Sequence, residues 1–423
     1  MRIRDPIHGT IHAGPEETRV IDSRFFQRLR HVKQLGFGEL AFPGATHTRH
    51  AHSLGAMHVA GRLFDAVARP LPEPTRARFR AAVRLAVLCH DLGHMPLSHA
   101  SEAVAPERAK LMLPSWLGTE GGRASHEDYT ARILLGSELT PVLASALTPW
   151  SLSPEHLVSL ITGEAPPSGS PFVEAGVDWA PLLRAIVSGE LDADRMDYLQ
   201  RDSFFTGVNY GRYDFEWIVG NLSAAEQGGS MYLALSRVAA FEFDDFLLSR
   251  YHMFLSVYYH HTSVSFDHML RRYYDEAPGE LEIPADPEGF LRCDDVALHA
   301  RLRTSDNRWA KRLVDRKGFK RVAEFTERDE GYDLAELDRA LSAAGLEHFS
   351  VESRGVLSRY FEEGSAPSLL ILDPSSGRLT DVAKYTPLYQ RFAGAVRLSR
   401  VYVRPDQVEA ARPIIARLTG VAP

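Results

Sequence analysis

The chain has 423 residues, of which 44% are hydrophobic and 24% are charged, proportions that are typical of a globular protein and exclude a disordered one. The formal charge of -7 does not indicate a nucleic-acid-binding protein, although a basic pocket can lie within an acidic body. Two cysteines exclude a disulfide framework, and the lack of a signal-like start or a bilayer-length apolar run predicts a cytoplasmic protein with no membrane contact.

Helices dominate the prediction for the first two thirds of the chain, because apolar residues recur there at helical spacing. In chain order the predicted helices are Thr18–Leu35, His52–Ala68, Arg76 to Asp91 or His94, Glu127–Leu135, Pro181–Ile186, Ala193–Gln200 and the long segment Phe241–Tyr274. Met231–Leu235 has the composition of a short strand.

A stretch rich in proline and acidic residues, Ala277–Glu288, predicts a domain boundary. We therefore expect a core over residues 1–275 and a second unit over residues 276–423, either regulatory or used for oligomerisation. The second unit has predicted strands at Ser368–Leu372 and Ala395–Val403 and a closing helix at Gln407–Leu418. The predicted fold class is mainly α, a helical bundle with a smaller α+β C-terminal part.

Histidines are concentrated in one part of the chain: His47, His50, His52, His58, His90, His94, His99 and His126. The dipeptide His90-Asp91 supplies an imidazole and a carboxylate, which together suit a borderline divalent metal. Neighbours on a helix point about 100° apart, so other elements must complete the metal shell, and His52 and Asp194 are the candidates. His94 follows one predicted turn after His90 and is expected to face the same site. His47, His50 and His58 are expected to be core histidines.

His99 and Glu102 are three residues apart, a spacing that lets a helical carboxylate hold an imidazole as a protonated acid. A bound divalent cation would activate water near neutral pH. These parts suit hydrolysis of a phosphoester or phosphoanhydride, with His99 protonating the departing oxygen.

Several segments between residues 2 and 275 carry a family resemblance in one order. They are Asp5–Gly9, Phe26–Arg30, Lys33–Gly36, Phe42–Ala45, Arg49–Gly55, Cys89–His94 and Asp192–Tyr198. Together they resemble the HD-domain deoxynucleoside triphosphate triphosphohydrolases, a family that includes bacterial dGTPases. An ordered set of this kind is more specific than a lone His-Asp pair, which occurs in many hydrolases.

The resemblance implies an HD-domain helical bundle that hydrolyses a dNTP to a deoxynucleoside and inorganic triphosphate. The implied metal ligands are His52, His90, Asp91 and Asp194. Such mixed ligands suit Fe, Mn, Co, Ni or Zn, with Mg accompanying the triphosphate. The implied acid pair is His99 with Glu102.

Substrate contacts also follow from the resemblance. Those to the phosphates are implied for His94, His126, Arg49 and Arg195, and those to the sugar for Gln34, Tyr198 and Asp202. Tyr258 matches an aromatic residue of the nucleoside pocket. Arg195 stands where a lysine is common, which keeps the charge and changes its shape.

Asp22, Gln27 and Arg30 match residues that bind an activating dGTP between subunits in regulated members of the family. The resemblance therefore predicts a dGTP effector and a homo-oligomer, either a dimer or a tetramer. The alternative is that these residues, with Arg28, form the solvated face of the first predicted helix.

Other functions stay open at this point. The same metal site could act on another nucleotide phosphoester, which would release a product other than triphosphate. A nucleotide sensor or nucleic-acid-binding module would bind a ligand and be stabilised by it without turnover. A diiron oxygenase would need further ligands, for which His94 and His126 are the nearby candidates.

Overall fold

A computed structural model describes residues 1–118, 121–326, 329, 332–356, 369–386, 388 and 395–420. The described chain is mainly helical, which confirms the predicted fold class. The helices up to residue 276 are α1 (Pro15–Ile21), α2 (Arg24–Arg28), α3 (Arg49–Val67), α4 (Glu73–Cys89), α5 (His126–Gly136), α6 (Leu139–Leu147), α7 (Pro154–Thr162), α8 (Ala180–Ser188), α9 (Ala193–Thr206), α10 (Phe215–Gly220), α11 (Ala240–Met253) and α12 (His261–Glu276). After them come α13 (Pro287–Phe290), α14 (Asp295–Thr304), α15 (Arg308–Val314), α16 (Leu334–Ala343), α17 (Val382–Tyr385) and α18 (Val408–Thr419).

The strands form three sheets. They are β1 (Arg2–Asp5), β2 (Gly9–His12), β3 (Val173–Glu174), β4 (Val177–Asp178), β5 (Leu222–Gln227), β6 (Ser230–Ser236), β7 (Lys320–Thr326), β8 (His348–Val356), β9 (Leu370–Leu372), β10 (Leu379–Asp381) and β11 (Ala395–Val403). Strands β1 and β2 form a hairpin, and β7, β11 and β8 form an antiparallel sheet in that order. The third sheet has the order β10-β9-β6-β4-β3, with β5 also paired to β6.

Strand β6 links the two predicted units, because Ala234 pairs in parallel with Leu370 of β9. A strand from beyond the predicted boundary is therefore hydrogen-bonded into the sheet of the first unit. The division at residues 275 and 276 stays a prediction, and the C-terminal sheet keeps a hydrophobic cluster of its own, in which α16 and α18 cover β7 and β11.

The main core lies around α3, which packs against α4, α8 and α9. The last two turns of α4, Ala82–Cys89, are buried at every position, and burial of each large aliphatic side chain contributes about 1.5–3 kcal/mol. This packing fixes three helix ends that lie next to one another: the start of α3, the end of α4 and the start of α9. Among the described residues, no helix is both long and apolar enough to cross a membrane.

Three predicted helices end or break earlier than their apolar pattern indicates. Thr18–Leu35 is interrupted after α1, because the Ser23 hydroxyl accepts the Phe26 N–H and starts α2. Helix α4 stops at Cys89, and Leu92 and His94 continue in turns whose N–H groups bond to Cys89 and Asp91. The prediction that His94 lies one helical turn after His90 is therefore wrong. The long segment after residue 240 contains a π-helical turn, Phe254–Tyr258.

Candidate metal centre and active site

The side chains of the four predicted metal ligands meet where the three helix ends adjoin. His52 lies in the first turn of α3, His90 and Asp91 follow α4, and Asp194 lies in the first turn of α9. The His52 Nε2 is 2.9 Å from the Asp194 Oδ1 and 3.7 Å from the Asp91 Oδ2. The His90 Nε2 is 3.3 Å from the Asp91 Oδ1 and 3.5 Å from the Asp194 Oδ1. Two nitrogens and two carboxylates thus converge on one point.

These residues fit a divalent cation. In the described part of the chain, the buried Nε2 atoms of His52 and His90 make no hydrogen bond. Their Nδ1 atoms do: that of His52 donates to Asp197 at 2.8 Å, and that of His90 donates to the Val87 carbonyl at 2.5 Å. A donated Nδ1–H leaves the Nε2 lone pair free, which is how metal-binding histidines are held. A mixed nitrogen and carboxylate set suits a borderline transition metal.

The centre is strongly negative without a cation. Although burial opposes the shift, contacts with the carboxylates of Asp194 and Asp197 raise the pKa of His52 to about 10. A positive charge, either a proton or a metal ion, is therefore favoured at this point.

A buried ion-pair network supports the metal centre. The Asp197 carboxylate accepts the His52 Nδ1–H, contacts the His8 Nε2 at 2.6 Å, and accepts two guanidinium N–H groups of Arg201 at 2.8 and 2.9 Å. Arg201 also donates to Asp5 at 2.9 Å, which ties the β1–β2 hairpin to the site. The sequence analysis assigned no role to Asp5, His8, Asp197 or Arg201. Three of them lie within the family segments Asp5–Gly9 and Asp192–Tyr198, which is the signal that could have found them.

His99 and Glu102 contact each other, and His126 contacts the same carboxylate. The Glu102 Oε1 is 3.0 Å from the His99 Nδ1 and 2.8 Å from the His126 Nδ1. His126 stacks on His94 at 4.1 Å between ring centroids, and the His94 Nε2 is 3.1 Å from the Asp91 Oδ1. Although burial opposes the shift, contacts with His126 and His99 lower the pKa of Glu102 below its usual range. Glu102 is therefore a charged carboxylate that orients both imidazoles through their Nδ1 atoms.

Basic side chains line the cleft beside this centre, which has a volume of about 770 Å³. Arg49 donates to Asp91 at 2.7 Å and to the Ser98 hydroxyl at 2.8 Å, so part of its charge is engaged by a predicted metal ligand. Arg195 pairs with Asp192 at 3.2 Å. Arg250 was not predicted: it is 2% exposed, its Nη1 lies 3.6 Å from the Glu190 Oε2, and among the described residues its Nε makes no hydrogen bond.

The predicted sugar and nucleoside contacts lie along the same cleft. Asp202 accepts the Tyr258 hydroxyl at 2.9 Å and contacts the His47 Nε2 at 2.7 Å. Tyr198 meets Tyr258 edge to face, with ring centroids 6.0 Å apart. Gln34 also lines the cleft, and its buried Oε1 has no partner among the described residues. His47 is buried as expected, yet it orients a predicted substrate contact.

The predicted effector residues lie elsewhere, at the break between α1 and α2. The Gln27 side chain accepts the Arg30 Nε–H at 2.7 Å and donates to the Ile21 carbonyl at 2.8 Å, while Asp22 is exposed at the end of α1. The Gln27 and Arg30 side chains therefore contact each other, Asp22 follows the Ile21 carbonyl that Gln27 binds, and the role of the three residues stays a prediction. Arg28 does not belong to a solvated face, because it is buried and donates to the carbonyls of Cys293 and His94.

Comparison with known proteins identifies two regions. A family model described as HD domain matches residues 49–202, and one described as HD associated region matches residues 214–346. The uncharacterized protein MJ1154 of Methanocaldococcus jannaschii is 28% identical over 77% of this chain and 60% of its own length. The deoxynucleoside triphosphate triphosphohydrolase SAMHD1 homolog of Dictyostelium discoideum is 31% identical over 72% of this chain and 55% of its own length.

The crystal structure of a hypothetical protein from Aquifex aeolicus, 28% identical, matches with a TM-score of 0.74 over 98% of this chain and 99% of that chain. By contrast, the chain spans less than two thirds of the length of either sequence relative. All four predicted metal ligands lie within the matched HD domain, which agrees with the ordered family segments. The chain has an HD domain over residues 49–202, followed by an HD-associated region over residues 214–346.

Proposed function

We propose that this protein is a metal-dependent phosphohydrolase that converts a dNTP and water to a deoxynucleoside and inorganic triphosphate. The observation that carries the proposal is the convergence of His52, His90, Asp91 and Asp194 in a cleft lined by arginines. The similarity to a deoxynucleoside triphosphate triphosphohydrolase from Dictyostelium supports the choice of substrate.

The proposed metal ligands are these four residues, and Fe, Mn, Co, Ni or Zn suits them, with Mg accompanying the triphosphate. The chemistry that such an ion supplies is polarisation of a phosphate oxygen and activation of water near neutral pH. Arg195 and Arg250 are placed to balance the negative charge of a triphosphate in the cleft. Because Arg49 is held by Asp91 and Ser98, it is oriented before substrate arrives.

The leaving oxygen needs a proton, and His99 is placed to give it. The reaction forms a bond from the water oxygen to the α-phosphorus and breaks the bond from that phosphorus to the 5′ oxygen. His99 is two thirds exposed on its side chain and is anchored through Nδ1 to Glu102, so its Nε2 can reach that oxygen. Glu102 orients the imidazole through this contact, and His126 shares the same carboxylate.

Sugar recognition is proposed for Asp202 and Tyr258. The Asp202 carboxylate is oriented by Tyr258 and His47, and it offers an acceptor to a 3′-hydroxyl. The rings of Tyr258 and Tyr198 fill neighbouring space, so a 2′-hydroxyl would meet apolar surface there.

We further propose that Asp22, Gln27 and Arg30 bind an activating dGTP between subunits of a homo-oligomer. The support for this proposal is that Gln27 and Arg30 contact each other, that Asp22 and Arg30 are exposed, and that none of the three lines the cleft. Activation predicts that dGTP raises turnover of a second dNTP and increases the molar mass measured by light scattering.

The test is to incubate the purified protein with each dNTP, alone and with dGTP, in Mn²⁺ or Mg²⁺, and to identify the products by chromatography. Asp91→Asn is the active-site variant, and Asp245→Asn on α11, an exposed carboxylate, is the matched control. Deoxynucleoside and triphosphate from the wild type and the control, but not from Asp91→Asn, support the proposal. Orthophosphate, or turnover of monophosphates alone, would point to another phosphoester, and ligand-induced stabilisation without any product would point to a sensor.

A further inference from the structure

A second wall of the cleft is built by α12 and β8 and carries an acidic side chain that the proposed reaction does not use. Asp267 of α12 lines the cleft together with His268, Arg271 and residues 351–353 of β8. The metal centre is formed by the ends of α3, α4 and α9, so the two walls come from different parts of the fold. Gln34, Leu35, Gly36 and Gly38 border the same space.

Asp267 has no partner among the residues that the structure describes. No donor group hydrogen-bonds to it there, and no basic side chain comes within ion-pair distance. His268 does not neutralise it, because burial lowers the pKa of His268 to about 4 and its ring stacks on Phe349 at 4.0 Å between centroids. Burial also raises the pKa of Asp267 to about 7. A half-buried carboxyl without donors is costly, and a ligand that brings donors would remove that cost.

In the proposed reaction, the base is the part of the substrate that would contact this wall. The metal centre and the arginines take the triphosphate, and Asp202 with Tyr258 takes the sugar. Leu35 and Tyr259 line the cleft and offer apolar surface to a flat ring. The part of the nucleotide that remains for α12 and β8 is the edge of the base.

We propose that Asp267 reads the base and favours guanine, an inference that rests on the proposed function. Hydrogen-bond donors of a ligand favour the ionised form of a buried carboxyl, and that form offers two acceptor oxygens and no donor. Guanine presents two adjacent donors, N1–H and the N2 amino group. Thymine presents one N–H between two carbonyl oxygens, which would face the carboxylate unfavourably. Sites built to hydrogen-bond a substrate group discriminate strongly against analogues that lack it.

The test compares dGTP with 2′-deoxyinosine triphosphate, which lacks only the N2 amino group. For the wild type we expect kcat/KM to be roughly 10- to 100-fold higher for dGTP, the range for one hydrogen bond to a charged group. Asp267→Asn should bring the two substrates to within about threefold of each other, because an amide offers only one acceptor. Asp275→Asn, an exposed carboxylate on the same helix, is the matched control and should keep the wild-type ratio.

Far-UV circular dichroism and the thermal midpoint report whether Asp267→Asn is folded, and both should stay close to those of Asp275→Asn. Equal preference in the wild type, or a preference that survives in Asp267→Asn, overturns the inference. Equilibrium binding of both nucleotides in the Asp91→Asn background, with and without Asp267→Asn, separates the two proposals. If no dNTP is hydrolysed, the proposed function fails, while a guanine preference in binding that depends on Asp267 still supports base reading.

Discussion

Asp295, the first residue of α14, connects the HD-associated region to the cleft. Its Oδ1 accepts the Leu97 N–H at 2.6 Å, and its Oδ2 accepts the Lys33 N–H at 2.9 Å. The carboxylate is 4% exposed. Leu97 and Ser98 have left-handed φ values of 54° and 56°, which non-glycine residues adopt at a cost. Asp295 therefore holds the backbone that immediately precedes His99.

Replacing Asp295 by alanine should destabilise the protein and loosen this segment. The buried N–H of Leu97 would lose its acceptor at about 1–3 kcal/mol, and the partly buried N–H of Lys33 would lose less because water can replace the carboxylate, so the free energy of unfolding should fall by roughly 1–4 kcal/mol. Turnover should fall as well, because His99 would lose its fixed position. Urea unfolding measures the loss of stability, and hydrogen exchange in peptides covering residues 92–104 measures the loosening of the segment.

Asp294→Ala is the matched control. Asp294 caps α14 by accepting the Ala297 N–H at 2.9 Å, and loss of a helix cap costs about 1 kcal/mol. This variant should lose stability but keep the protection of residues 92–104 and its turnover. If the amide hydrogens of residues 92–104 exchange as slowly in Asp295→Ala as in Asp294→Ala, Asp295 does not hold this segment in place.

Three further predictions concern Asp295 and the residues around Asp197. Burial raises the pKa of Asp295 to about 6, above its unfolded value of about 4, so the folded chain holds the extra proton and this group's contribution to stability should decrease from about pH 4 to 6. The fall of the urea midpoint over this range should be smaller in Asp295→Asn than in the wild type, where Asp295 adds to the effect of other buried carboxyls such as Asp267. Asp197→Asn should weaken metal binding by about 10- to 100-fold, as measured by competition with a chelator, and unchanged affinity would remove Asp197 from the support of the site. Gly55→Ala should also reduce bound metal, because its Cβ would meet Asp197 and Arg201, whereas Gly220→Ala meets nothing within 4 Å and should bind metal normally.

Local patterns predicted the helices well where one face is apolar over many residues. Strand β11 begins and ends where the sequence indicated, and α3 and α18 differ by a few residues. The end of α4 was misplaced, because apolar periodicity carries no information about where the backbone turns after Cys89. Parallel pairing of β6 with β9 was not predicted, since the register between distant strands depends on the packing of the whole chain.

The candidate site was also predicted in part, and the residues that were missed depend on contacts between distant parts of the chain. His52, His90, Asp91 and Asp194 were named from the sequence, and the structure brings them together, while their roles as ligands stay a prediction. The carboxylate of Asp197 was missed although it lies three residues after Asp194, because its role depends on contact with His52, 145 residues away in the chain. Asp267 was missed for a related reason: nothing in its own segment shows that β8 closes the cleft beside it.

The network around Asp197 also sets an order of events during synthesis. His8 contacts Asp197 across 189 residues, and Asp5 contacts Arg201 across 196. At the usual pace of a ribosome, the N-terminal hairpin waits roughly 10–40 s before its partners have been made. Closing so long a loop adds little to the thermodynamic cost, because that cost rises only with the logarithm of loop length. The separation therefore delays the contacts but adds little to their free-energy cost. The ring of His52 acquires its final orientation only after about half of the polypeptide exists.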